Sequence, residues 1–322
     1  MTATLPTSSD LVSLVKRAAL APSSHNTQPW HFRITGATVD LFADPTRALP
    51  VNDPDDRELT ISCGCALMNL RVAAAARGLD SEVTLLPRRE ESDWLARVRL
   101  EPRAAGAAAD AALSEHIERR HTYRKRFRPA AVSEATIERL VAAAAAEGGW
   151  FHPVLEEPDR QRLAQLVAEG DTQQWANPSW RRELAAWMHP RRRGDGLTVS
   201  ALAAPIAHAI VRTFDMGQGI AAKDRDLADA SPLLAILGTE RDEIRDWLLA
   251  GQALERVVLT ACQSGLQASF LNQPVQVASL RPKLRDVAGR AVPQVLLRLG
   301  EPMDEPVAAP RRAVADIVEA PP

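Results

Sequence analysis

The chain has 322 residues, of which 46% are hydrophobic and 25% charged, and its formal net charge at pH 7 is −2. This length suits one large domain or two ordinary ones, and the composition is that of a globular protein. Without a basic excess, the sequence gives no sign of nucleic-acid binding. We expect no signal peptide, because the N-terminus lacks a basic and an apolar region, and no membrane span, because no uninterrupted apolar run approaches roughly 20 residues.

The three cysteines, Cys63, Cys65 and Cys262, are an odd and sparse set that does not suit a disulfide framework. They fit a reducing compartment, so we expect a cytoplasmic protein. The sequence contains no HExxH or CxxC metal motif and no glycine-rich nucleotide-binding motif. Basic residues are nearly all arginine, so a phosphate site would be built mainly from the bidentate guanidinium group.

The N-terminal third of the chain predicts two helices and three strands. Residues 11–20 form a short predicted helix, with Ser8, Ser9 and Asp10 as candidate caps. Residues 58–77 form a second helix with so few polar residues that it must be buried on most sides, and Gly78 ends it. The predicted strands are residues 30–34, 38–43 and 95–100.

The rest of the chain predicts a similar alternation. The predicted helices are residues 107–120, 134–146 and 242–264. The predicted strands are residues 150–155, 232–237 and 293–300. Ser133 and Thr239 are the expected caps of the second and third of these helices, and Gly265 ends the third. Residues 158–195 are rich in arginine, tryptophan and glutamate and are predicted to be helical in places.

The sequence contains a weak internal duplication. The pattern G-x-A-L at Gly64 recurs at Gly251, and the pair G-L at Gly78 recurs at Gly265, both at an offset of 187 residues. Coincidence in an alanine-rich sequence is the alternative. The constant offset favours two copies of a helix–strand–helix–strand unit.

The two copies differ where a ligand would bind. The first has the loop A-P-S-S-H-N-T-Q-P at residues 21–29, and the second has only E-G-G at residues 147–149 in the matching place. The second has R-R-H-T-Y-R at residues 119–124, where the first has T-L-P-T-S-S. Because each half carries what the other lacks, we predict one composite site.

The loop with its flanking strand, A-P-S-S-H-N-T-Q-P-W-H-F at residues 21–32, has a distinctive chemistry. Pro22 and Pro29 exclude a helix, and five small polar side chains lie between them. Trp30 adds a large flat apolar surface. Such a loop suits a ligand with a sugar-like chain and a flat ring. A surface loop closed by a core tryptophan is the alternative.

This stretch resembles the loop after the first helix in the nitroreductase superfamily, the FMN-dependent oxidoreductases. The single long chain is most similar to the Acg-like branch, in which two nitroreductase-like halves are fused. The resemblance covers roughly residues 11–318 and is weakest between residues 175 and 222. It implies an α+β nitroreductase-like fold whose halves, residues 1–106 and 107–322, pair as a pseudo-dimer. It also implies a lid-like insert at residues 175–219 and a monomer in solution.

The resemblance implies FMN as the cofactor and assigns residues to it. Residues 120–124, R-H-T-Y-R, fit the family pattern R-H/R-S/T-x-R/K for phosphate and ring-edge binding, although a basic helix end also suits the helix macrodipole. The basic pair after Pro310 occupies the place of a phosphate-binding pair, although alone it would predict a solvated tail. The implied FMN-binding residues are Pro22, Ser23, Ser24, Asn26, Gln28, Arg120, Thr122, Arg124, Asn272, Gln273, Arg311 and Arg312.

Three further assignments that the family pattern suggests are weaker. The related pattern has an acidic residue and a glycine at positions 272 and 273, so Gln273 puts the tightness of that turn in doubt, and a core-helix exit is the alternative. Lys223 and Arg225 lie where relatives place another FMN contact. His25 and His121 fall inside the two motifs and are candidates to line the site.

Three functions remain open. The first is an oxidoreductase in which FMN carries electrons from NAD(P)H to a nitro or quinone-type acceptor, so that no catalytic side chain is required. The second is a flavin-sequestering protein with little turnover, in which the insert, with Trp175, Trp180, Trp187 and the arginine run 191–193, blocks access of the nicotinamide. The third is a pseudo-enzyme with an empty site.

Overall fold

The computed structural model describes residues 5–88, 90–104, 109–189, 194–198, 210–213 and 215–319. In chain order the helices that position the site are α1 (Ser8–Ala18), α2 (Arg57–Ala76), α3 (Glu134–Ala145), α4 (Glu157–Ala176), α5 (Pro178–Ala186), α6 (Gly217–Asp229), α7 (Ile244–Gln263), α8 (Gln273–Gln276) and α9 (Arg281–Ala288). The strands are β1 (Trp30–Thr35), β2 (Thr38–Ala43), β3 (Leu79–Leu85), β4 (Trp94–Pro102), β5 (Trp150–Val154), β6 (Met188–His189), β7 (Leu197–Thr198), β8 (Leu233–Thr239), β9 (Gln267–Phe270) and β10 (Val292–Gly300).

The first half folds as an antiparallel sheet in the order β1-β2-β4-β3, packed against α1 and α2. Gly36 lies between β1 and β2 with φ +59°, which confirms the predicted turn. The sequence analysis missed β3. Its buried side chains alternate with exposed ones, as in an edge strand with one solvated face.

The second half repeats this architecture. Its sheet has the order β5-β8-β10-β9 and is also antiparallel throughout. When the strands are matched by their place in each copy, the two sheets have the same order. The predicted α+β fold with two halves of one topology is confirmed. The boundary between residues 106 and 107 stays a prediction.

The duplicated glycines meet where α2 crosses α7. A Cβ added to Gly64 would lie 2.9 Å from the Cα of Gly251, and a Cβ added to Gly251 would lie 2.7 Å from the Cα of Gly64. Gly64 also approaches the carbonyl oxygen of Leu248, and Gly251 that of Ile61. Ile61 and Leu248 are themselves 187 residues apart. Reciprocal contacts of this kind are what a two-fold axis produces, so the helices pair as in a symmetric dimer.

Helix α2 has the length and mean hydropathy, 1.5, of a membrane span, but 89% of that window is buried inside the fold. Its apolar run is not uninterrupted, because Asn69 and Arg71 lie within it. The helix is apolar because it lies in the core, where residues from both halves form one hydrophobic cluster.

Several predicted helix starts are wrong. α1 is capped by Thr7, whose hydroxyl accepts the N–H of Asp10 while the Asp10 carboxylate accepts the N–H of Thr7, so residues 8–10 are the first helical turn. Thr239 is the last residue of β8 and does not cap α7. The cap is Glu243, in a capping box with Asp246.

The helix predicted at residues 107–120 is instead a 3₁₀ helix, Ala109–His116, and residues 105–108 lie outside the described part of the chain. The C-terminal tail returns to the first half. The N–H of Phe32 donates to the carbonyl oxygen of Ile317 (2.7 Å), and the N–H of Glu319 donates to that of Phe32 (2.8 Å). This pairing extends the N-terminal sheet beyond β1 and brings the tail toward the 21–32 loop.

Candidate functional site

A cavity of about 380 Å³ lies between the two halves, within the size range of small-molecule sites. The first half contributes Pro22, Ser23, Ser24, His25, Asn52, Glu58, Ile61, Ser62 and Cys65 to its wall. The second half contributes Thr122, Arg124, Asp171, Gln174, Trp175, Trp180, Ile220, Lys223, Asp224, Leu227, Leu254, Ser269, Phe270, Leu271, Asn272, Gln273, Gln276, Val295 and Arg298. The cavity is therefore composite. We name it the main cavity.

A second cavity of about 230 Å³ adjoins it and shares Pro22, Ser23, Thr122 and Arg124 with its wall. Its other described lining residues are Asn26, Arg120, His121, Tyr123, Lys125, Asp304, Glu305, Val307, Ala308, Ala309 and Arg311. Cations predominate here, whereas the main cavity also has a broad apolar wall. The two cavities together form one site. We name the second cavity the basic annex.

The 21–32 loop is held in a strained shape. His25, Asn26 and Gln28 have φ angles of 50°, 55° and 51°, a region that non-glycine residues rarely adopt. Each such residue costs on the order of 1–3 kcal/mol and persists only where the surroundings fix it. One fixing contact is internal, since the Ser23 hydroxyl accepts the N–H of Gln28 at 3.0 Å.

The structure gives Asn26 and Gln28 different places. The Asn26 amide lines the basic annex and donates to the carbonyl oxygens of Gly196 (3.4 Å) and Pro310 (3.2 Å). Gln28 is fully buried outside the described walls of both cavities, where its amide donates to the carbonyl oxygen of Gly194 at 2.8 Å. Gln28 therefore connects the loop to the insert, and we do not carry it forward as an FMN contact.

The two C-terminal arginines also separate. Arg311 lines the basic annex and donates to the carbonyl oxygens of Ala19 (2.9 Å) and Leu20 (2.8 Å), at the end of α1. Arg312 lies outside the described walls of both cavities. It donates to the carbonyl oxygen of Gln28 at 2.9 Å. The structure thus brings one arginine of the predicted pair to the site.

The R-H-T-Y-R motif supplies two side chains of unlike character. Arg120 is buried, with its Nε 3.3 Å from a carboxylate oxygen of Glu255, which is 0% exposed. Burial raises the pKa of Glu255 to about 6, and the Arg120 charge opposes that shift. Arg124 is different, because within the described residues its guanidinium makes no hydrogen bond or ion pair. Arg124 lines the cavity, and burial lowers its pKa.

The 272–273 turn is built without a glycine. Asn272 has φ −76° and ψ −1°, ordinary helical values, and Gln273 opens the one-turn helix α8. The space for Gln273 comes from Gly170 on α4, where an added Cβ would lie 2.7 Å from the Gln273 Cβ. The doubt raised by Gln273 about this turn is therefore removed. Both residues line the main cavity.

The sequence analysis missed Glu58, which joins the two halves at the cavity wall. Its carboxylate is 3% exposed and accepts hydrogen bonds from the Ser24 hydroxyl (2.7 Å), the Gln276 amide (2.9 Å) and the Asn272 amide (3.2 Å). In the sequence it is one acidic residue in the first turn of a helix, where the macrodipole already accounts for it. No local signal distinguishes it.

The remaining candidates differ in whether they line a cavity. Lys223 lines the main cavity, whereas Arg225 is outside its described wall and lies 3.8 Å from Asp229. His25 lines the main cavity, and burial lowers its pKa to about 4, so its imidazole is neutral at pH 7. His121 lines the basic annex.

Comparisons with known proteins fit this geometry. No family model matches the chain. A putative NAD(P)H nitroreductase of Mycobacterium tuberculosis, Rv3131, is 34% identical over 326 residues, which cover 98% of this chain and 93% of that protein. The chain belongs to the nitroreductase family. The putative NAD(P)H nitroreductase Acg of the same organism is 27% identical, covering 98% of this chain and 96% of that protein.

A solved structure, the FMN-dependent nitroreductase NfnB from Mycobacterium smegmatis in complex with NADPH, aligns with a TM-score of 0.45 at 18% identity. The alignment covers 66% of this chain and 99% of that one. The full-length matches to curated nitroreductases confirm the resemblance drawn from the 21–30 motif, including the Acg-like branch.

In this nitroreductase the insert covers part of the main cavity. Trp175 and Trp180 line it and contact each other edge to face, with ring centroids 5.5 Å apart. The Trp180 indole N–H donates to the Asn52 side chain at 2.9 Å, and the Glu183 carboxylate accepts the N–H groups of Val51 (2.9 Å) and Asn52 (2.8 Å). These contacts fix α5 to the first half.

Two glycines of the insert, Gly194 and Gly196, both have φ +74°, as expected of bending points. The predicted arginine run at residues 191–193 lies outside the described residues. Trp187 does not belong to the described cavity wall. Its ring lies under the guanidinium of Arg47, 5.3 Å from it.

Proposed function

We propose that this nitroreductase binds one FMN non-covalently and passes electrons from NAD(P)H to a nitro or quinone-type acceptor. One observation carries the proposal: two adjoining cavities combine arginines, most of them in the basic annex, with hydroxyl side chains where the cavities meet and an apolar wall in the main cavity. FMN has a phosphate, a polyhydroxyl chain and a flat ring in that order. The donor set therefore fits this cofactor.

The residues that would hold each part follow from their places. Arg124 has the guanidinium best placed for the phosphate, because it has no protein partner within the described residues and lines both cavities. Ser23, Ser24 and Thr122 offer hydroxyls for the ribityl chain. Ile61 and Leu254 belong to the apolar wall that would receive the ring.

When bound, FMN supplies the redox chemistry, so the chain's own task is to bind, orient and exclude water. The nicotinamide donor is inferred from the names of the curated relatives, which are putative NAD(P)H nitroreductases. Because the pairing of halves is internal, we also propose a monomer. Light scattering should give a mass near the 35.0 kDa of one chain.

The test is the visible spectrum of the purified protein, followed by NADPH addition without oxygen. We expect an oxidised flavin spectrum that bleaches with NADPH and returns when a nitroaromatic or a quinone is added. A protein that has no flavin and does not take up added FMN would contradict the proposal.

A second candidate, flavin sequestration, is favoured by the contacts that fix the insert. Trp180 and Glu183 attach α5 to the loop at Val51 and Asn52, over the cavity that a nicotinamide would have to enter. A closed insert would retain the flavin and slow its reduction. Flavin that stays oxidised under excess NADPH, but bleaches with dithionite, would favour this candidate over turnover.

A further inference from the structure

Two carboxyl groups share one amide in the wall of the main cavity. Asp171 is on α4 and Asp224 on α6, and these helices pack along each other. The Gln273 side-chain amide donates one hydrogen bond to Asp171 Oδ1 (3.1 Å) and one to Asp224 Oδ2 (3.0 Å). All three residues line the main cavity but not the described wall of the basic annex.

The second oxygen of Asp171 has no hydrogen-bond partner among the described residues. Asp171 is 3% exposed, and its Oδ2 is buried without a hydrogen bond in the described part of the chain. A charged oxygen in that position would lack compensation, so its surroundings favour the protonated carboxyl.

The surrounding charges favour one shared proton. Burial, and then the Asp224 charge, raise the pKa of Asp171 to about 7. Burial also raises the pKa of Asp224, against the opposing charges of Lys223 on α6 and Arg298 on β10. The other charged group on this stretch of α4, Glu169, pairs with Lys283 of α9 at 3.2 Å and is outside the described cavity wall. Asp171 is therefore the member of the pair that keeps its proton close to neutral pH.

We propose that the Asp171–Asp224 pair is the proton donor to the acceptor molecule, a role that rests on the proposed function. Conversion of a nitro group to a nitroso group takes two electrons and two protons and releases water. A hydride brings both electrons and one proton, so one further proton must reach an oxygen of the acceptor. Reduction of a quinone to a hydroquinone has the same balance.

In this step the O–H bond of Asp171 breaks as its proton passes to Asp224, the partly exposed carboxyl in the cavity wall, and an O–H bond of Asp224 breaks as an O–H bond forms on the acceptor. The carboxylate that remains is reprotonated from solvent through Asp224, which is only partly buried. Gln273 holds the two carboxyl groups side by side and leaves the Asp171 Oδ2 free within the described residues. Asp171 and Asp224 line the main cavity, whose apolar wall would receive the flavin ring, and not the basic annex, which would hold the phosphate.

The first measurement follows the protonation of the aspartate carboxyl groups and does not depend on turnover. Aspartate carboxyl carbons labelled with ¹³C are titrated by NMR in the FMN-loaded protein, in wild type and in Asp171→Asn. We expect one carboxyl signal that titrates near neutral pH in wild type and is lost in Asp171→Asn. The matched control is Asp226→Asn, an exposed aspartate on the same helix as Asp224, which should keep it. If no signal that titrates near neutral pH is lost in Asp171→Asn, the proposal is overturned.

The second measurement isolates the step. Protein reduced beforehand is mixed rapidly with p-benzoquinone or 4-nitrobenzoate, and reoxidation is followed across pH. We expect wild-type rates to fall as pH rises through neutral, and Asp171→Asn to be about 100-fold slower with no such dependence. Asp171→Glu should recover part of the rate, and Asp226→Asn should match wild type. Reduction by NADPH is followed in parallel, so that a loss confined to reoxidation identifies the step.

The two proposals fail differently. A protein without flavin, or one not reoxidised by either acceptor, overturns the proposed function. A flavin-loaded Asp171→Asn that is reoxidised at the wild-type rate with the wild-type pH profile overturns the proton donor alone. If Asp171→Asn does not fold, Asp224→Asn takes its place with the same expected result.

Discussion

The crossing of α2 and α7 allows a direct test of the internal two-fold. Gly251→Ala would place a methyl group 2.7 Å from the Cα of Gly64 and still closer to the carbonyl oxygen of Ile61. Ordinary carbon contacts are about 3.5–4.0 Å, so the helices would have to separate by roughly 1 Å. Both obstructing atoms belong to the backbone, and no change of rotamer can move them.

The expected cost follows from two opposing effects. Overpacking a close-packed site costs about 1–3 kcal/mol, and a backbone-to-backbone conflict belongs at the upper end. Replacing a helical glycine by alanine recovers up to about 1 kcal/mol of helix propensity. We therefore expect Gly251→Ala to lower the free energy of unfolding by about 2 kcal/mol, and Gly64→Ala to act similarly because the contacts are reciprocal.

The assay is urea denaturation of both single variants and the double variant, with Gly219→Ala as the control. Gly219 lies on α6 with nothing within 4 Å of an added Cβ, so its replacement should stabilise the protein by up to about 1 kcal/mol. The double variant should lose less than the sum of the singles, because one separation of the helices relieves both conflicts. A Gly251→Ala protein as stable as Gly219→Ala would refute the crossing.

The remaining predictions concern the site. Arg120→Ala should lower the free energy of unfolding by about 3–5 kcal/mol, because it leaves Glu255 buried without its partner; urea denaturation measures this. Arg124→Ala should weaken FMN binding by about 1.5–3 kcal/mol with little effect on stability, as measured by fluorescence titration. Trp180→Phe removes the indole hydrogen bond to the first half and should speed reduction by NADPH in stopped flow. The free energy of unfolding of the wild type should fall as pH rises, and Asp171→Asn should make this fall smaller. The folded-state pKa of Asp171, about 7, exceeds its unfolded value, so its stabilising effect is complete below about pH 4 and disappears as pH rises through about 7.

Each of these has a contrary outcome. Arg120→Ala that unfolds like wild type would mean that Glu255 is satisfied without the arginine. Unchanged FMN affinity in Arg124→Ala would exclude it from the phosphate site. Equal reduction rates in wild type and Trp180→Phe would show that the insert does not limit access. Parallel pH–stability curves for wild type and Asp171→Asn would contradict the raised pKa of that carboxyl.

The fold could be predicted from the sequence where local patterns are strong. The apolar length of α2 and the left-handed glycines Gly78 and Gly265, both at positive φ, mark their elements without tertiary information. The edge strand β3 was not predicted, because Ser81 interrupts the apolar positions of its sequence L-D-S-E-V-T-L and leaves only a short alternating stretch. The 3₁₀ form of Ala109–His116 also has no local signature in an alanine-rich segment.

The site is predictable only where a contiguous motif carries it. Ser23, Thr122 and Arg124 line the cavities because their motifs are compact. Glu58 and Asp171 are isolated carboxylates on separate helices, and only tertiary packing gives them partners, across the two halves for Glu58 and within the second half for Asp171. Sequence alone therefore locates the residues of the two motifs and misses these carboxylates.

The duplication explains why the chain should have one such site and not two. The place that corresponds to Ser62 and Ala66 in the first copy is Leu249 and Ala253 in the second. There the short turn at residues 147–149 packs directly on α7: a Cβ on Gly149 would lie 2.9 Å from the Cβ of Ala253, and one on Gly148 would lie 3.7 Å from Leu249 Cδ1. The turn thus occupies the space that the longer loop leaves open around Ser62, which lines the main cavity. In the second copy the shorter turn therefore fills the place of an equivalent site, and the second half instead contributes arginines and the insert to the site that the longer loop lines.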